Sequence, residues 1–138
     1  MNAEDQIAVT GLLEDETAFS IHYRGGVSRG TNLLWEINGM EGDLQLTATG
    51  GHTQIWEMDV RGGKGAQASL EILPVPEQYR WAPPQGPGTN VAQAYAHFAR
   101  DYREGTHYCP TFEDAVTRHR MLNAIETAAA SGQRQTLG

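Results

Sequence analysis

The chain has 138 residues, of which 39% are apolar and 20% charged, so we predict one globular domain, residues 1–138, with a hydrophobic core. The formal net charge of −7 argues against nonspecific binding to nucleic acid or to an anionic membrane, because both need clustered Lys and Arg. With one cysteine, Cys109, and no apolar run of the ~20 residues that span a bilayer, we expect a cytoplasmic protein.

Residues 6–73 show the period-two alternation of apolar and polar residues that is typical of strands. The alternating runs are 7–13, 19–24, 33–38, 44–46, 55–60 and 70–72. Turn signals separate them at Gly25-Gly26, Asn38-Gly39, Gly50-Gly51 and Gly62-Gly63. The short spacing favours antiparallel hairpins, since parallel neighbours need a long crossover.

Two helices are predicted after a proline-rich connection over residues 74–89. The first covers about 90–104, with Thr89 or Asn90 as its cap and an apolar stripe. That stripe consists of Val91, Tyr95, Phe98 and Tyr102. The second begins at Thr111, where Asp114 completes a capping-box pattern, and ends at Gly132. This order predicts an α+β fold, an open and mainly antiparallel sheet of about six strands with two C-terminal helices on one face.

A polar cluster is predicted on neighbouring strands. Ser20, His22 and Arg24 share one strand face, and Glu36 and Asn38 alternate in the same way on the next strand. If these strands pair, the cluster is suited to bind a hydroxylated ligand or to perform acid–base chemistry, with His22 and Glu36 as the catalytic groups. The alternative interpretation is a solvated polar face or a polar dimer interface.

Further residues complete the predicted site. Arg24 and Arg29 flank a glycine-containing segment that can approach an anion closely, although an exposed hairpin connection with two arginines is the alternative. Tyr23 and Trp35 are assigned as an apolar wall. The predicted substrate-binding residues are Ser20, Tyr23, Arg24, Arg29, Trp35 and Asn38. The five histidines lack the spacing of a metal site, so we predict no metal ligands and no cofactor.

Three tracts carry a resemblance to a known family: residues 22–44, 95–110, and 112–130 with the following Gly132. Together they resemble the C-terminal domain of the Gfo/Idh/MocA oxidoreductases, including their galactose-repressor-like members. The resemblance implies an open sheet with helices on one face and an oligomer built on the other. Such proteins use NAD or NADP on sugars and polyols through a Rossmann domain. Its G-x-G-x-x-G motif does not occur in this sequence, so we expect no redox activity of the chain on its own.

Three functional hypotheses follow. In the first, the chain is a stand-alone homologue of that C-terminal domain, which binds a small molecule or complements a separate Rossmann-domain protein. In the second, it is a repurposed, cofactor-independent cyclase, isomerase or lyase that uses His22 as its acid–base group. In the third, it is a structural dimerisation module. The expected partners are a small-molecule ligand, a second copy bound through the sheet face and a Rossmann-domain protein, with neither nucleic acid nor membrane.

Overall fold

The computed structural model describes residues 4–79 and 88–137. Its strands are β1 (Gln6–Leu12), β2 (Ala18–Arg24), β3 (Leu33–Asn38), β4 (Gly42–Ala48), β5 (Asp59–Lys64) and β6 (Glu71–Ile72). A short 3-10 helix (Glu77–Tyr79) precedes the two helices α1 (Gly88–Glu104) and α2 (Phe112–Ser131). The α+β class, with six antiparallel strands in open sheets and two C-terminal helices, is confirmed.

The strands are divided between two sheets that belong to different compact units. Residues Met1–Gly26 and Cys109–Gly138 form one unit, which contains the two-stranded β1-β2 sheet and α2. Residues Val27–Tyr108 form the other, which contains the four-stranded sheet, in the order β3-β4-β5-β6, and α1. The prediction of a single domain over the whole chain stays a prediction.

The β1-β2 hairpin is shaped by a glycine beneath an aromatic ring. Gly11 lies opposite Phe19 in the antiparallel register, and a β-carbon on Gly11 would be 2.7 Å from the Phe19 ring. Only a glycine therefore allows the ring to lie across the neighbouring strand.

The four-stranded sheet has one apolar face. Its members, here called the apolar face, are Leu33, Trp35, Ile37, Leu44, Leu46, Ala48 and Val60. In the described part of the chain, Ala48 is the only apolar side chain classed as buried, at 7% exposure. Trp35 is 59% exposed. On the apolar face Trp35, Ile37 and Leu44 are exposed, whereas Leu33, Leu46 and Val60 are half-buried.

The position of β5 corrects the prediction for this region. We expected a strand at 55–60 and a turn at Gly62-Gly63, but β5 begins at Asp59 and includes both glycines. A β-carbon on Gly62 would be 2.8 Å from Leu73 Cδ1 and 3.0 Å from Leu44 Cδ2. The glycine is needed within the strand because these leucines close over it.

The start of α1 also differs from the prediction. The helix begins at Gly88, and Asn90 lies inside it and does not cap it. The Asn90 side chain instead donates from Nδ2 to the carbonyl oxygen of Gln54, at 2.8 Å, and so ties the helix to the turn before β5. The predicted connection at 74–89 lies partly outside the described residues, since 80–87 are not covered.

The predicted ends of α2 are confirmed. Thr111 Oγ1 accepts a hydrogen bond from the Asp114 N–H at 3.3 Å, and Asp114 Oδ2 accepts one from the Thr111 N–H at 2.8 Å. Gly132, with φ of 68°, follows the last turn in the left-handed conformation. Neither α2 nor any other helix within the described ranges is long and apolar enough to cross a membrane.

Candidate functional site

The strongest candidate site is the polar side of the four-stranded sheet, opposite the apolar face. The antiparallel register places alternate residues of β3, β4 and β5 together there. The members of this polar face are Glu36, Asn38, Asp43, Gln45, Thr47, Asp59 and Arg61. The face includes Glu36 and Asn38, two of the residues predicted for the site.

Two hydrogen-bonded pairs hold side chains across β3 and β4. Gln45 lies directly opposite Glu36, and its Nε2 donates to Glu36 Oε1 at 2.8 Å. Asn38 lies opposite Asp43, and its Nδ2 donates to Asp43 Oδ1 at 3.0 Å. These bonds restrict the rotamers of all four side chains, so the Glu36 and Asp43 carboxylates are held in place.

Arg61 extends the middle row of this face. It lies opposite Gln45 on the next strand, and it is half-buried. Within residues 4–79 and 88–137 the one ion pair is Arg100–Glu104, so Arg61 has no carboxylate bonded to it there. A guanidinium group of this kind can donate several hydrogen bonds to oxygen atoms of a ligand.

A cleft adjoins one end of the polar face. It has a volume of about 320 Å³ and lies between the β3–β4 turn and the β5–β6 connection. Asp43 and Gly63 belong both to the polar side of the sheet and to the cleft wall. The other side chains in the wall include Met40, Glu41, Lys64, Ser69 and Leu70. This volume lies at the lower end of the ~300–1,000 Å³ range of small-molecule pockets.

Close backbone contacts shape this cleft. The Gly39 N–H donates to the Gly42 carbonyl at 3.0 Å, and the Gly65 N–H donates to the Glu41 carbonyl at 3.2 Å. Gly65 has φ of 60°, which favours glycine. The glycines therefore bring the two connections together, and a β-carbon on Gly63 would lie only 3.2 Å from the Ser69 carbonyl oxygen.

The hairpin half of the predicted cluster lies on β2. Ser20, His22 and Arg24 share one face of β2, where they lie opposite Thr10, Ala8 and Gln6. All three are exposed, and Tyr23 is on the other face opposite Ile7.

The joint cluster depended on pairing between the second and third strands. In the structure β2 pairs with β1, and β3 pairs with β4. The hairpin group and the group around Glu36 lie in different compact units. A shared site that contains His22 and Glu36 therefore stays a prediction.

Two other predicted residues have distinct surroundings. Trp35 lies on the apolar face, on the side of β3 opposite to Glu36 and Asn38. Arg29 is in the connection before β3, which Asn32 organises. The Asn32 side chain accepts from the Ser28 N–H at 2.6 Å and donates to the carbonyls of Ser28, Gly30 and Thr49 at 3.1, 3.1 and 2.7 Å.

Gln45, Asp43 and Arg61 were not predicted as site residues. The alternation in 44–46 was recognised from Leu44 and Leu46, and the polar Gln45 between them could have been assigned to the polar side. Arg61 was missed because the expected strand, 55–60, ended one residue before it. The register that joins the three residues is a tertiary feature.

A second cavity, of about 480 Å³, lies beside α1. Val91, Ala94, Tyr95 and Phe98 contribute most of its wall, with Gln54 and Asn90 at one side. Although it is larger, it has few polar groups to orient a ligand, and Asn90 is already bonded to the Gln54 backbone. The polar face is the better candidate for a hydroxylated ligand because it carries more hydrogen-bonding side chains.

The end of α1 carries another cluster with a structural role. The Arg100 guanidinium lies 4.9 Å from the centre of the Tyr108 ring, and His97 is 5.3 Å from the same ring. The bond to Glu104 raises the pKa of Arg100, with smaller contributions from Tyr108 and Asp101. These contacts hold the residues that follow α1 against the helix. No group of three metal-ligating side chains occurs in the described part of the chain.

The comparison with protein families supports the predicted resemblance over part of the chain. The family described as Gal80p, C-terminal domain, matches residues 1–48 of the 138. No curated protein and no solved structure matched the chain. The matched region includes β1 to β4, and with them Glu36, Asn38 and Gln45. Over these first four strands the chain is similar to an oxidoreductase-like C-terminal domain of the Gfo/Idh/MocA type.

Proposed function

We propose that this domain binds a small polyhydroxylated molecule on the polar face of its four-stranded sheet. The observation that carries the proposal is the in-register row Glu36–Gln45–Arg61 beside the bonded pair Asn38–Asp43. In this proposal any redox step on the ligand is supplied by a separate nucleotide-binding protein, as the similarity to an oxidoreductase C-terminal domain suggests. We place the domain in the cytoplasm.

The hydrogen-bonding groups of the row Glu36–Gln45–Arg61 suit the hydroxyl groups of a polyol. A hydroxyl group donates one hydrogen bond and accepts others, so it needs acceptors and donors at short spacing. Glu36 supplies a carboxylate acceptor, Gln45 an amide and Arg61 a set of donors. Leu34 and Ile72, on the same side and 57% and 67% exposed, offer apolar contacts to the carbon skeleton.

A titration with glucose and with myo-inositol, followed by backbone amide shifts, tests this proposal. We expect shifts centred on Glu36, Gln45 and Arg61. Gln45→Ala should weaken binding by about tenfold, because it removes a ligand contact and releases Glu36. Gln78→Ala, an exposed glutamine in the 3-10 helix, is the matched control and should bind normally. Shifts that spread to other surfaces, or none at all, would contradict the proposal.

A separate observation supports a second role, self-association through the apolar face. Trp35, Ile37 and Leu44 are 59%, 48% and 41% exposed on one side of the sheet. Contiguous apolar surface of this kind marks interaction sites. We propose that two copies bury these faces against each other, which combines the dimerisation hypothesis with ligand binding on the opposite side.

Two adjacent residues on β3 provide a matched test of this dimer. Trp35→Glu places a charge on the apolar face, whereas Leu34→Glu places one on the polar side at similar exposure. Sedimentation should show a dimer for the wild type and for Leu34→Glu, and a monomer for Trp35→Glu. A wild-type protein that is monomeric at high micromolar concentration would overturn this role.

A further inference from the structure

We infer that the ligand of the polar face is an amino polyol, a polyhydroxylated compound with a protonated amine. The inference rests on the proposed function and narrows its ligand class. Its basis is the balance of charged groups on the polar face and in the adjoining cleft.

The polar face has three carboxylates and one guanidinium. Glu36, Asp43 and Asp59 share the side of the sheet that carries Arg61. Asp59 and Arg61 are two residues apart on β5, and Glu36 is in the same row as Arg61. An anionic ligand held by Arg61 would therefore lie close to an excess of negative charge.

The wall of the cleft also carries more negative than positive charge. Glu41 and Asp43 contribute two carboxylates to its wall, against the single ammonium of Lys64. Lys64 pairs with Gly42, so its position in the register is on the opposite side of the sheet from Asp43. Asp43 lies opposite Gly63 in the register and both line the cleft, so a ligand ammonium in the cleft can reach the Asp43 carboxylate.

The charge of the whole chain acts in the same direction. Its formal net charge is −7, which favours the approach of cations and disfavours that of phosphorylated sugars. A phosphate ligand usually requires several arginines, lysines or backbone donors that converge on it. The polar face offers one arginine for that purpose.

Three related probes separate ligand charge from hydroxyl recognition: glucose, glucosamine and glucose 6-phosphate. In mildly acidic buffer of low ionic strength, where the amine is protonated, we expect glucosamine to bind about fivefold tighter than glucose. We expect glucose 6-phosphate to bind more weakly than glucose. Added salt should reduce the advantage of glucosamine, because it screens exposed charges.

Two charge-removing variants test whether the preference for glucosamine arises on the polar face. Asp59→Asn removes one carboxylate from the polar face with almost no change in shape, and it should reduce the preference for glucosamine over glucose. Glu71→Gln removes one carboxylate at a register position on the opposite side of the sheet, opposite Gly62, and it should leave the preference unchanged.

The outcomes separate a wrong ligand class from a wrong binding site. If glucose 6-phosphate binds tightest and Gln45→Ala abolishes its binding, the polar face is the site and the amino-polyol inference is overturned. Equal effects of Asp59→Asn and Glu71→Gln would also overturn it, because a general field would then explain the preference. If none of the three sugars binds, the proposed function itself fails.

Discussion

The indole of Trp56 lies against the α-carbon of Gly50, at the place where a β-carbon would project. Gly50 is buried, while Trp56 is 49% exposed. Together with the bond from the Trp56 N–H to the His52 carbonyl, at 3.1 Å, this contact accompanies a turn just before β5. Residues 55 and 56 belong to that turn and not to the strand expected at 55–60.

Gly50→Ala should destabilise the protein by about 1–3 kcal/mol, because the new methyl group forces the Trp56 indole out of its position. Chemical denaturation followed by tryptophan fluorescence measures both the loss of stability and the change in the indole environment. Gly51→Ala is the control. A β-carbon there would be 3.4 Å from the Asn32 carbonyl oxygen, an ordinary contact, and similar costs for the two variants would contradict this account.

Asn32→Ala should cost about 1–2 kcal/mol, because the backbone groups of Ser28, Gly30 and Thr49 lose their partner. The Ser28 amide donates to Asn32 Oδ1, so its hydrogen exchange should accelerate in the variant. Thr31→Ala, at the neighbouring exposed position, should leave that exchange rate unaltered. Unchanged protection of Ser28 in Asn32→Ala would show that the connection is held by other contacts.

Thr111→Ala should destabilise α2 by about 1 kcal/mol, because the hydroxyl accepts from the Asp114 N–H at the first turn. Circular dichroism during urea denaturation measures this loss. Thr117→Ala, within the same helix, is the comparison, since its hydroxyl bonds to the Glu113 carbonyl and caps no free N–H. A larger loss in Thr117→Ala would argue against the cap as the determinant.

Asp114 should make the stability of α2 depend on pH. The Thr111 backbone N–H, followed by its hydroxyl, lowers the pKa of Asp114 below the ordinary value of 3.8. A carboxylate with a lowered folded-state pKa stabilises the fold above the unfolded-state pKa, and this contribution disappears as the pH falls through the folded-state value. The stability difference between wild type and Asp114→Asn should be largest at neutral pH and shrink below about pH 4. A difference that stays constant on acidification would refute the assignment.

His22→Ala distinguishes the enzymatic hypothesis from simple binding. His22 is exposed and lies opposite Ala8, so its removal should change stability by no more than about 0.5 kcal/mol. If the domain catalyses an acid–base reaction through His22, the variant should stay folded and lose turnover of any small molecule that native mass spectrometry detects on the purified wild type. Full turnover in the folded variant would remove His22 from the mechanism.

The sequence predicted the elements well where local chemistry determines them. The capping box of Thr111 and Asp114 and the stop at Gly132 depend on neighbours within a few residues, and both are confirmed. The same holds for the alternation that places Ser20, His22 and Arg24 on one side of β2. Such patterns can be recognised without knowledge of the rest of the fold.

The composition of the polar face could be predicted only in part, because it depends on the register between strands. Glu36 and Asn38 were identified from alternation, but Gln45 and Asp43 become their neighbours only when β4 pairs with β3, and Arg61 joins the row only when β5 pairs with β4. The wrong start of β5 in the prediction has the same origin. Gly62-Gly63 has the composition of a turn, but it lies in a strand, where Leu44 and Leu73 pack over Gly62.

The sequence by itself determined the class of the fold, the amphipathic character of the strands and the net negative charge of the chain. These properties follow from composition and short-range periodicity. The tertiary structure decided which strands pair, that the six strands form two sheets, and which carboxylates lie beside Arg61. Those features depend on contacts between residues that are distant in the chain. The sequence shows the type of each residue, but it does not show which residues become neighbours.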